Sequence, residues 1–291
     1  MARNGRSNRK QGHDQDAEAF RDASRGERLQ RVMADAGIAS RRDCERMIEE
    51  GLVEVNGTLV TDLPAWVDAQ NDRIVVDGRV LPPPARAIYI LLNKPTRTLT
   101  SARDEPGSDR RTVLDLVQHP NSGQLFPVGR LDYDTTGLLL LTNDGELANR
   151  LTHPRYGVPK VYRALVKGRV EPEAVEALEE GVKLTDRKDG RTVGASRTGP
   201  VEVSIVHREA DKTVLEVTIR EGRNRQVRRM LAALGFPVRK LERIAMGPLR
   251  LKGVARGDWR ELNRGEVQAL RRAAAQAAKE TRTDRGRKGT P

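Results

Sequence analysis

One stretch of the sequence constrains the chain most strongly, because it places a carboxylate in a glycine-flanked turn directly before an apolar strand. It spans residues 129–145 and reads GRLDYDTTGLLLLTNDG. The glycines permit a tight turn or the close approach of a ligand, and the apolar residues 138–141 anchor the turn in a core. The pattern thus predicts a rigidly held Asp132, which is a candidate catalytic group. An ordinary strand entry with a solvated aspartate shares this local pattern, so further signals are needed.

The charge balance predicts a polyanionic partner. The 291 residues carry a formal net charge of +12 and a pI near 10.2, and the basic residues 271–291 account for only part of the excess. Lysine and arginine gain affinity for nucleic acids by releasing counterions from phosphates. A hydrophobic fraction of 37% supplies cores for one substantial domain and one small domain.

Several classes of site find no support in the sequence. Cys44 is the sole cysteine, so no internal disulfide is expected, and its helical spacing with Met47 and Ile48 predicts a core position. The four histidines are scattered without metal-ligand spacing, so we predict no metal site. No segment has a signal-peptide h-region or the roughly 18 apolar residues of a spanning helix. We expect a cytoplasmic protein that makes no membrane contact.

Residues 27–84 carry the signals of a small domain built from two helices and a hairpin. Apolar residues keep helical spacing from Leu29 until Gly37 ends the helix, and Ser40 is a candidate N-cap for a second helix. Two short strands follow, joined by an Asn-Gly pair at 56–57, the strongest two-residue hairpin signal. A proline run then forms a stiff spacer before the next domain.

The order of these signals, with the strings AGIASRR and GLVEVNG, resembles the S4 RNA-binding domain. On the second helix, Arg42 and Arg46 lie one turn apart on the polar face, where both can grip phosphates. Arg41 belongs to the same predicted phosphate-binding set. A generic two-helix cap on the larger domain is the alternative interpretation.

Residues 85–270 predict an α+β domain on a largely antiparallel or mixed sheet. Strands of alternating polarity are joined by short links and interspersed with short helices. The predicted elements span residues 88–92, 161–167, 173–180, 201–207, 213–220, 225–234 and 249–251. Residues 1–26 and 271–291 are predicted to be disordered basic or polar tails.

The stretch at 129–145 closely resembles the signature of the pseudouridine synthases that act on ribosomal RNA, the group of small-subunit enzymes and of types B, E and F of the large-subunit enzymes. Every fixed position of that signature matches. The resemblance implies that a uridine is isomerised by breaking its N-glycosidic bond and reattaching uracil through C5, which needs no redox cofactor. It makes Asp132 the catalytic carboxylate, acting on the ribose C1′, on the base, or on a ribose proton. Asp134 falls on a free position and is assigned a solvated structural role.

The arginine-rich run REGRNRQVRRML at residues 220–231 offers a partner for this carboxylate. An ionised aspartate in a water-poor pocket is costly unless a cation pairs with it. The run resembles the third motif of the same family, in which the first arginine after Gln-Val faces the catalytic aspartate, and that position is Arg228. So dense a cluster also fits a phosphate-binding helix face, and Arg223 and Arg225 are predicted to bind substrate RNA.

Four further residues are assigned through the resemblance. Tyr162 matches the family's tyrosine thirty residues after Asp132, where its ring can stack on the extruded uracil and its hydroxyl can help remove the C5 proton. A tyrosine that only fills the core is the alternative. Leu251 resembles the apolar residue that covers the base from the other side. Arg130 is suited to enter the gap left by the flipped nucleotide, and Lys94 to hold a phosphate or support the active-site loop.

We therefore expect a ribosomal RNA pseudouridine synthase with an N-terminal S4 domain, acting as a monomer on ribosomal RNA or a pre-ribosomal particle, without cofactors. The strings FPVGR and TNDGELANRL are most similar to type B of the large-subunit enzymes, with the small-subunit enzyme as the nearest alternative. A non-catalytic RNA-binding assembly factor is the alternative from another class, although an aspartate among arginines would repel RNA. A nuclease would call for a carboxylate cluster or a histidine pair, which the sequence lacks.

Overall fold

The computed structural model describes residues 19–101, 110–188 and 191–288. The chain divides into two compact units, residues 1–87 and 88–291. The first boundary thus lies three residues beyond the predicted end of the small domain at residue 84.

The first unit contains the two helices and the hairpin that the sequence predicts. Ser40 caps the second helix by accepting a hydrogen bond from the Asp43 amide. Asn56 and Gly57 both adopt the left-handed backbone conformation that a two-residue hairpin requires. The helices are α1 (Leu29–Asp35) and α2 (Arg41–Glu49), and the strands are β1 (Glu27–Arg28), β2 (Val53–Val55), β3 (Thr58–Leu59), β4 (Trp66–Val67), β5 (Ile74–Val76) and β6 (Arg79–Val80).

The core of this unit lies between the two helices and the strands. Strands β3, β2, β5 and β6 form one antiparallel sheet in that order, and β1 pairs with β4. Met33 from α1 and Ile48 from α2 are fully buried against Val53 and Val55 of β2. Cys44 lies in the same core, as predicted, and burial raises the pKa of its thiol to about 11. The thiol is therefore a packing group.

The predicted N-terminal tail is partly folded, which corrects the expectation for residues 19–26. Two short 3-10 helices span Ala19–Arg21 and Ala23–Arg25. Phe20 is buried in the small core, and Arg25 forms an ion pair of 2.9 Å with Asp72. A single aromatic anchor and a buried ion pair have no sequence periodicity, which is why the segment resembles a tail. Residues 1–18 lie outside the described part of the chain.

The second unit contains eleven described strands interspersed with four described α-helices. Its strands are β7 (Tyr89–Lys94), β8 (Phe126–Pro127), β9 (Thr136–Thr142), β10 (Lys160–Lys167), β11 (Lys183–Lys188), β12 (Arg191–Arg197), β13 (Glu202–Arg208), β14 (Lys212–Ile219), β15 (Val238–Met246), β16 (Leu249–Arg250) and β17 (Trp259–Glu261). Its helices are α3 (Gly145–Thr152), α4 (Pro172–Glu179), α5 (Gln226–Ala233) and α6 (Arg264–Lys288), with 3-10 turns at Ser122–Gln124 and Pro154–Tyr156.

The sheet is largely antiparallel, which confirms the predicted α+β class. Its strand order is β13-β14-β10-β15-β9-β7-β17, and among the strands described only β9 and β15 pair in parallel. Strand β9 is buried on both faces: Leu139 and Leu141 enter one hydrophobic cluster, while Leu138 and Leu140 enter the other. The leucine run after Asp132 is therefore continuous because helices or strands cover both sides of the sheet.

The predicted C-terminal tail is helical through residue 288, which corrects the expectation for residues 271–288. Helix α6 buries Leu270, Ala274 and Ala277, which recur at helical spacing and pack on the cluster that contains Leu138. Arg271 also donates a 2.9 Å hydrogen bond to the Tyr89 hydroxyl. The buried stripe consists mostly of alanines, and arginines lie beside it. The segment therefore lacks the large apolar residues by which an amphipathic helix is recognised in a sequence.

Gly137 joins the candidate catalytic turn to the sheet at a position where no side chain fits. Its φ is +104°, and a Cβ there would lie 2.3 Å from the Arg243 carbonyl oxygen on β15. We expect Gly137→Ala to lower the free energy of unfolding by about 1–3 kcal/mol or more, measured by urea denaturation. Gly123→Ala is the matched control, because a Cβ at Gly123 meets no atom within 4 Å. Equal unfolding midpoints for the two variants would contradict this packing argument.

Candidate active site

Asp132 lies in a turn between β8 and β9 that the surrounding backbone holds rigidly. The Thr135 amide donates to the Asp132 carbonyl at 3.0 Å, which closes the turn. The Thr100 hydroxyl donates to the Leu131 carbonyl at 2.7 Å. The Asp132 side chain is 28% exposed, so its carboxylate is reachable and mostly shielded from water. The turn therefore presents the carboxylate as the sequence pattern predicts.

Lys94 ends β7 and fixes the same turn from the interior. Its ammonium donates to the carbonyls of Pro95 at 3.0 Å, Asp132 at 3.1 Å and Thr135 at 3.0 Å. Burial lowers the pKa of Lys94 to about 8, while the nearby Asp134 and Asp132 carboxylates oppose this shift. The residue is fully buried, so the predicted direct contact with a phosphate is not supported. The alternative role, support of the active-site loop, fits these contacts.

Two arginines of the α5 region contact Asp132. Arg225 Nη1 lies 3.3 Å from Asp132 Oδ2, and Arg228 Nε lies 3.9 Å from the same oxygen. The Arg228 side chain is 11% exposed and its Nε has no hydrogen-bond partner among the described residues, whereas the Arg225 side chain is 44% exposed. The sequence motif selected the more buried of the two partners and assigned the closer one, Arg225, to RNA alone.

Asp134 is part of the same charge cluster, and its side chain, 52% exposed and paired with arginines, fits the predicted solvated structural role. Its Oδ2 lies 3.1 Å from Arg228 Nη2, and its Oδ1 lies 3.4 Å from Arg225 Nη1. Arg228 also donates to the Val238 carbonyl at 3.3 Å and to the Thr135 hydroxyl at 3.4 Å. Asp134 and these acceptors hold the guanidinium in place, with its Nε 3.9 Å from Asp132 Oδ2.

Asp132 lines a cavity of about 410 Å³. Tyr162 of β10, Arg130 and Arg225 line this cavity together with Asp132, and Met246 of β15 adds an apolar surface. Tyr162 is largely buried and packs in the core while it also lines the cavity, and its stacking on a base stays a prediction. Arg130 is exposed and borders a second opening beside Asp132, where a side chain can reach a bound nucleic acid.

Two residues predicted to bind substrate make contacts within the protein. Leu251 does not line the Asp132 cavity; it packs on the hydrophobic cluster of Met246 and α6, so its predicted contact with a base is not supported. Arg223 lines the cavity, but its guanidinium donates to the Ser196 hydroxyl at 2.7 Å and the Arg197 carbonyl at 2.8 Å. Arg223 thus ties the β11-β12 hairpin to the cavity wall.

The arginines of α2 are solvent-facing in the first unit. Arg41 and Arg42 are exposed, and Arg46 is exposed while it pairs with Asp43 on the same helix. Arg42 and Arg46 lie one turn apart on that helix, as predicted. These positions leave the three side chains accessible to phosphates, and their contact with RNA stays a prediction.

The second half of the 129–145 stretch has a structural role. The Asn143 side-chain oxygen accepts a hydrogen bond from the Ile88 amide at 2.8 Å, which joins the ends of β9 and β7. Asp144 caps α3 by accepting from the Leu147 amide at 2.9 Å, and it also accepts from the Tyr89 hydroxyl at 2.7 Å. Asn143 and Asp144 are thus used in structural contacts, and the candidate catalytic carboxylate lies in the GRLD half of the stretch.

The cavity wall contains two cations that no sequence motif predicted, Lys160 of β10 and Arg243 of β15. Both are buried, and Arg243 Nε donates to the Leu138 carbonyl at 2.7 Å. Lys160 lies two residues before Tyr162 on one strand, so the two side chains share a face; that spacing was an available signal. Arg243 lay on a strand that the sequence analysis did not predict.

The described residues contain no group of three or more His, Cys, Asp or Glu side chains that could hold a metal ion. No helix in the described ranges is both long and apolar enough to cross a membrane. The site therefore offers a carboxylate compensated by two guanidinium groups, an aromatic ring and a cavity of small-ligand size. Such a set can place a nucleophile or base against one unit of a polyanion.

Comparison with known proteins gives matches along both units. The sequence profile of the RNA pseudouridylate synthase family matches residues 88–233, and that of the S4 domain matches residues 27–63. Over 250 residues the chain is 44% identical to ribosomal large subunit pseudouridine synthase B of Bacillus subtilis. The matched region covers 85% of this chain and 97% of the Bacillus protein. An uncharacterized RNA pseudouridine synthase of Aquifex aeolicus is 44% identical, covering 84% of this chain and 94% of that protein.

A solved structure is also similar. A pseudouridylate synthase crystal structure matches 84% of this chain and 100% of its own, with a TM-score of 0.59 and 30% sequence identity. These matches confirm the resemblance that the motifs indicate, including the order of the two domains.

Proposed function

Because the chain belongs to the RNA pseudouridylate synthase family, we propose that it converts a specific uridine of large-subunit ribosomal RNA to pseudouridine, with Asp132 as the catalytic carboxylate. The observation that carries the residue assignment is that one cavity brings Asp132, Arg225 and Tyr162 together. Its volume of about 410 Å³ lies within the range of about 300–1,000 Å³ that is usual for small-ligand sites.

The target nucleotide must leave the RNA helix to reach this cavity, because the reacting atoms are inaccessible in a stacked base. The exposed Arg130, two residues before Asp132, is suited to occupy the gap that the nucleotide leaves. Tyr162 then provides a ring on which the uracil stacks. These contacts fix the base relative to the carboxylate, and such positioning supplies a large part of a catalysed rate.

The reaction breaks the N1–C1′ bond, turns the uracil over and forms a C5–C1′ bond, after which the C5 proton is lost. Asp132 attacks C1′, attacks the base or removes a ribose proton; its placement in the cavity is compatible with each of these steps. Arg225 and Arg228 compensate the carboxylate charge and orient its Oδ2 atom. Tyr162 takes part in removing the C5 proton.

The large-subunit target is proposed from the relatives. The proteins of Bacillus subtilis and Pseudomonas aeruginosa that are 44% and 38% identical to this chain are both named ribosomal large subunit pseudouridine synthase B. Small-subunit RNA is the nearest alternative substrate. A monomeric state and a cytoplasmic location stay predictions.

Purified protein incubated with 5-tritiated large-subunit or small-subunit RNA tests this function, because pseudouridine formation releases the C5 hydrogen. We expect label release from the large-subunit RNA, at about one equivalent per RNA molecule for a single target. Release only from small-subunit RNA would overturn the proposed target, and release from neither RNA would overturn the proposed function. A non-catalytic assembly factor would bind the RNA without releasing label.

The α2 arginines are expected to anchor RNA. Replacing Arg42 and Arg46 with alanine should weaken RNA binding and make its dependence on salt shallower by roughly one unit of slope for each phosphate that is no longer bound. Binding titrations between low and moderate salt measure this slope. Arg31→Ala is the control, because Arg31 lies on α1, outside the predicted phosphate-binding set, and pairs with two carboxylates, those of Glu27 and Asp35. An unchanged slope for the double variant would mean that α2 does not contact phosphates.

A further inference from the structure

Two cations in the wall of the Asp132 cavity have no carboxylate partner. Lys160 is 7% exposed and Arg243 is 2% exposed, and both line the cavity. Within the described ranges, burial and the charge of Arg243 are the influences on the Lys160 ammonium, with no carboxylate or hydrogen bond among them, and Arg243 Nη2 is buried without a hydrogen-bond partner. The neighbouring Asp132 is instead matched by Arg225 and Arg228.

Strand register places both cations beside Tyr162. Lys160 and Tyr162 are two residues apart on β10, so their side chains point to the same face of the sheet. Arg243 of β15 is the cross-strand partner of Tyr162. The ring on which we expect uracil to stack is therefore flanked by two positive charges.

An unpaired cation is costly to bury, since it loses its water shell without gaining an anion. Burial lowers the pKa of Lys160 to about 8, and the like charge of Arg243 acts in the same direction. A group that brings negative charge or strong hydrogen-bond acceptors into the cavity would relieve this cost. The ligand is the available source of such a group.

The RNA offers two candidates, a phosphate and the uracil carbonyls. A phosphodiester continues into the flanking nucleotides and must stay near the cavity mouth, where Arg130 and Arg225 are exposed. The flipped base is the part of the nucleotide that enters most deeply. Burial of Lys160 and Arg243 therefore favours the base over the phosphate.

We propose that Lys160 and Arg243 bind the O2 and O4 carbonyl oxygens of the target uracil and stabilise the uracil anion after the glycosidic bond breaks. This inference rests on the proposed function. When the N1–C1′ bond breaks, its electron pair stays on the uracil and the negative charge is shared by O2 and O4. C1′ is meanwhile an oxocarbenium ion or is bonded to the Asp132 carboxylate. The turned ring supplies an electron pair from C5 to C1′, which displaces that carboxylate if it is bonded. The C5 proton then passes to solvent with the help of Tyr162, and N1 takes up a proton from solvent, so that no net proton is gained or lost. The two cations donate hydrogen bonds while this charge exists, as an oxyanion hole does.

Lys160→Met tests the proposal in the full-length protein. The change removes the charge and keeps most of the volume, so we expect the single-turnover rate at saturating large-subunit RNA to fall by about 100-fold or more. The melting temperature of the free protein should rise, because an unpaired buried cation is gone. A residue needed only for folding would instead lower that temperature. Arg243→Met is less suited as a test, because it would also remove the hydrogen bond that the Leu138 carbonyl accepts from Arg243.

A uracil analogue that leaves more easily than uracil tests whether Lys160 assists the breaking of the glycosidic bond. The fluorine of 5-fluorouridine withdraws electrons and stabilises the uracil anion without the protein. In RNA that carries 5-fluorouridine, consumption of that nucleoside by Lys160→Met should therefore come within about 10-fold of the wild-type rate. Nucleosides are quantified by mass spectrometry after digestion. Lys167→Met is the matched control, since Lys167 is exposed at the other end of β10.

Each other outcome counts against the proposal. Wild-type rates for Lys160→Met, a lowered melting temperature, or an equal deficit with both bases would overturn it. Weakened RNA binding with a normal rate at saturation would assign the cations to a phosphate and overturn it too. A wild-type protein that converts no uridine in either ribosomal RNA would overturn the proposed function, whereas wild-type activity with an undisturbed Lys160→Met variant would overturn this inference alone.

Discussion

Asp132→Asn should abolish uridine isomerisation while RNA affinity stays close to that of the wild type. The amide has the shape of the carboxylate but cannot act as an ionised nucleophile or base. We expect the rate of label release from 5-tritiated large-subunit RNA to fall by about 10⁴-fold or more, with an unchanged binding titration. The existing ion pairs with Arg225 and Arg228 are the reason to monitor folding by thermal melting in parallel.

Asp134→Asn is the matched control for this variant. Asp134 lies two residues from Asp132 and contacts the same two arginines, so it shares the electrostatic surroundings. Its side chain is 52% exposed and it does not line the main cavity, so we expect turnover to persist within about 10-fold of the wild type. An active Asp132→Asn variant, or an inactive Asp134→Asn variant, would show that Asp132 is the wrong carboxylate to assign to the chemistry.

Arg228→Ala should slow the chemical step more than alanine substitution of Arg223, Arg225 or Arg229. Its guanidinium is the less exposed of the two that face Asp132. Truncating one member of a mostly buried charge pair costs about 3 kcal/mol, which corresponds to about 100-fold in rate. Single-turnover rates at saturating RNA measure this effect without interference from binding.

Arg225→Ala gives the critical comparison, because Arg225 Nη1 is closer to Asp132 than Arg228 Nε is. Its side chain is more exposed, so water screens its charge, and we expect mainly weaker RNA binding and a shallower salt dependence. If Arg225→Ala lost the rate at saturation while Arg228→Ala kept it, Arg225 would be the functional partner of Asp132. That result would leave the proposed enzyme class unchanged, but it would contradict the assignment of Arg228 as the ion-pair partner of Asp132.

Local sequence signals predicted much of the fold. The Asn-Gly hairpin at 56–57, the Ser40 cap and the alternating strand β10 depend on neighbouring residues, so they are visible in one sequence. Strand β15 was missed because its outward positions are charged and Arg243 occupies an inward one, which breaks the apolar alternation. Helix α6 was missed because alanines form its buried stripe.

The candidate site was predictable where motifs are local. The GRLD turn and the Gln-Val-Arg run identified Asp132 and Arg228, which the structure brings within 3.9 Å. The surroundings of Lys94 and Leu251 depend on which long-range contacts bury them, and sequence spacing does not encode that. The same holds for Lys160 and Arg243, because their proximity arises from the register of two strands that are far apart in the chain.

Mapping pseudouridines across both ribosomal RNAs at nucleotide resolution tests the central claim most directly. The comparison needs cells with this gene, cells without it, and cells without it that express wild-type protein or the Asp132→Asn variant. We expect one or more large-subunit sites to disappear with the gene, to return with the wild-type protein and to stay absent with Asp132→Asn. A full set of pseudouridines in cells without the gene, or their restoration by Asp132→Asn, would contradict the account.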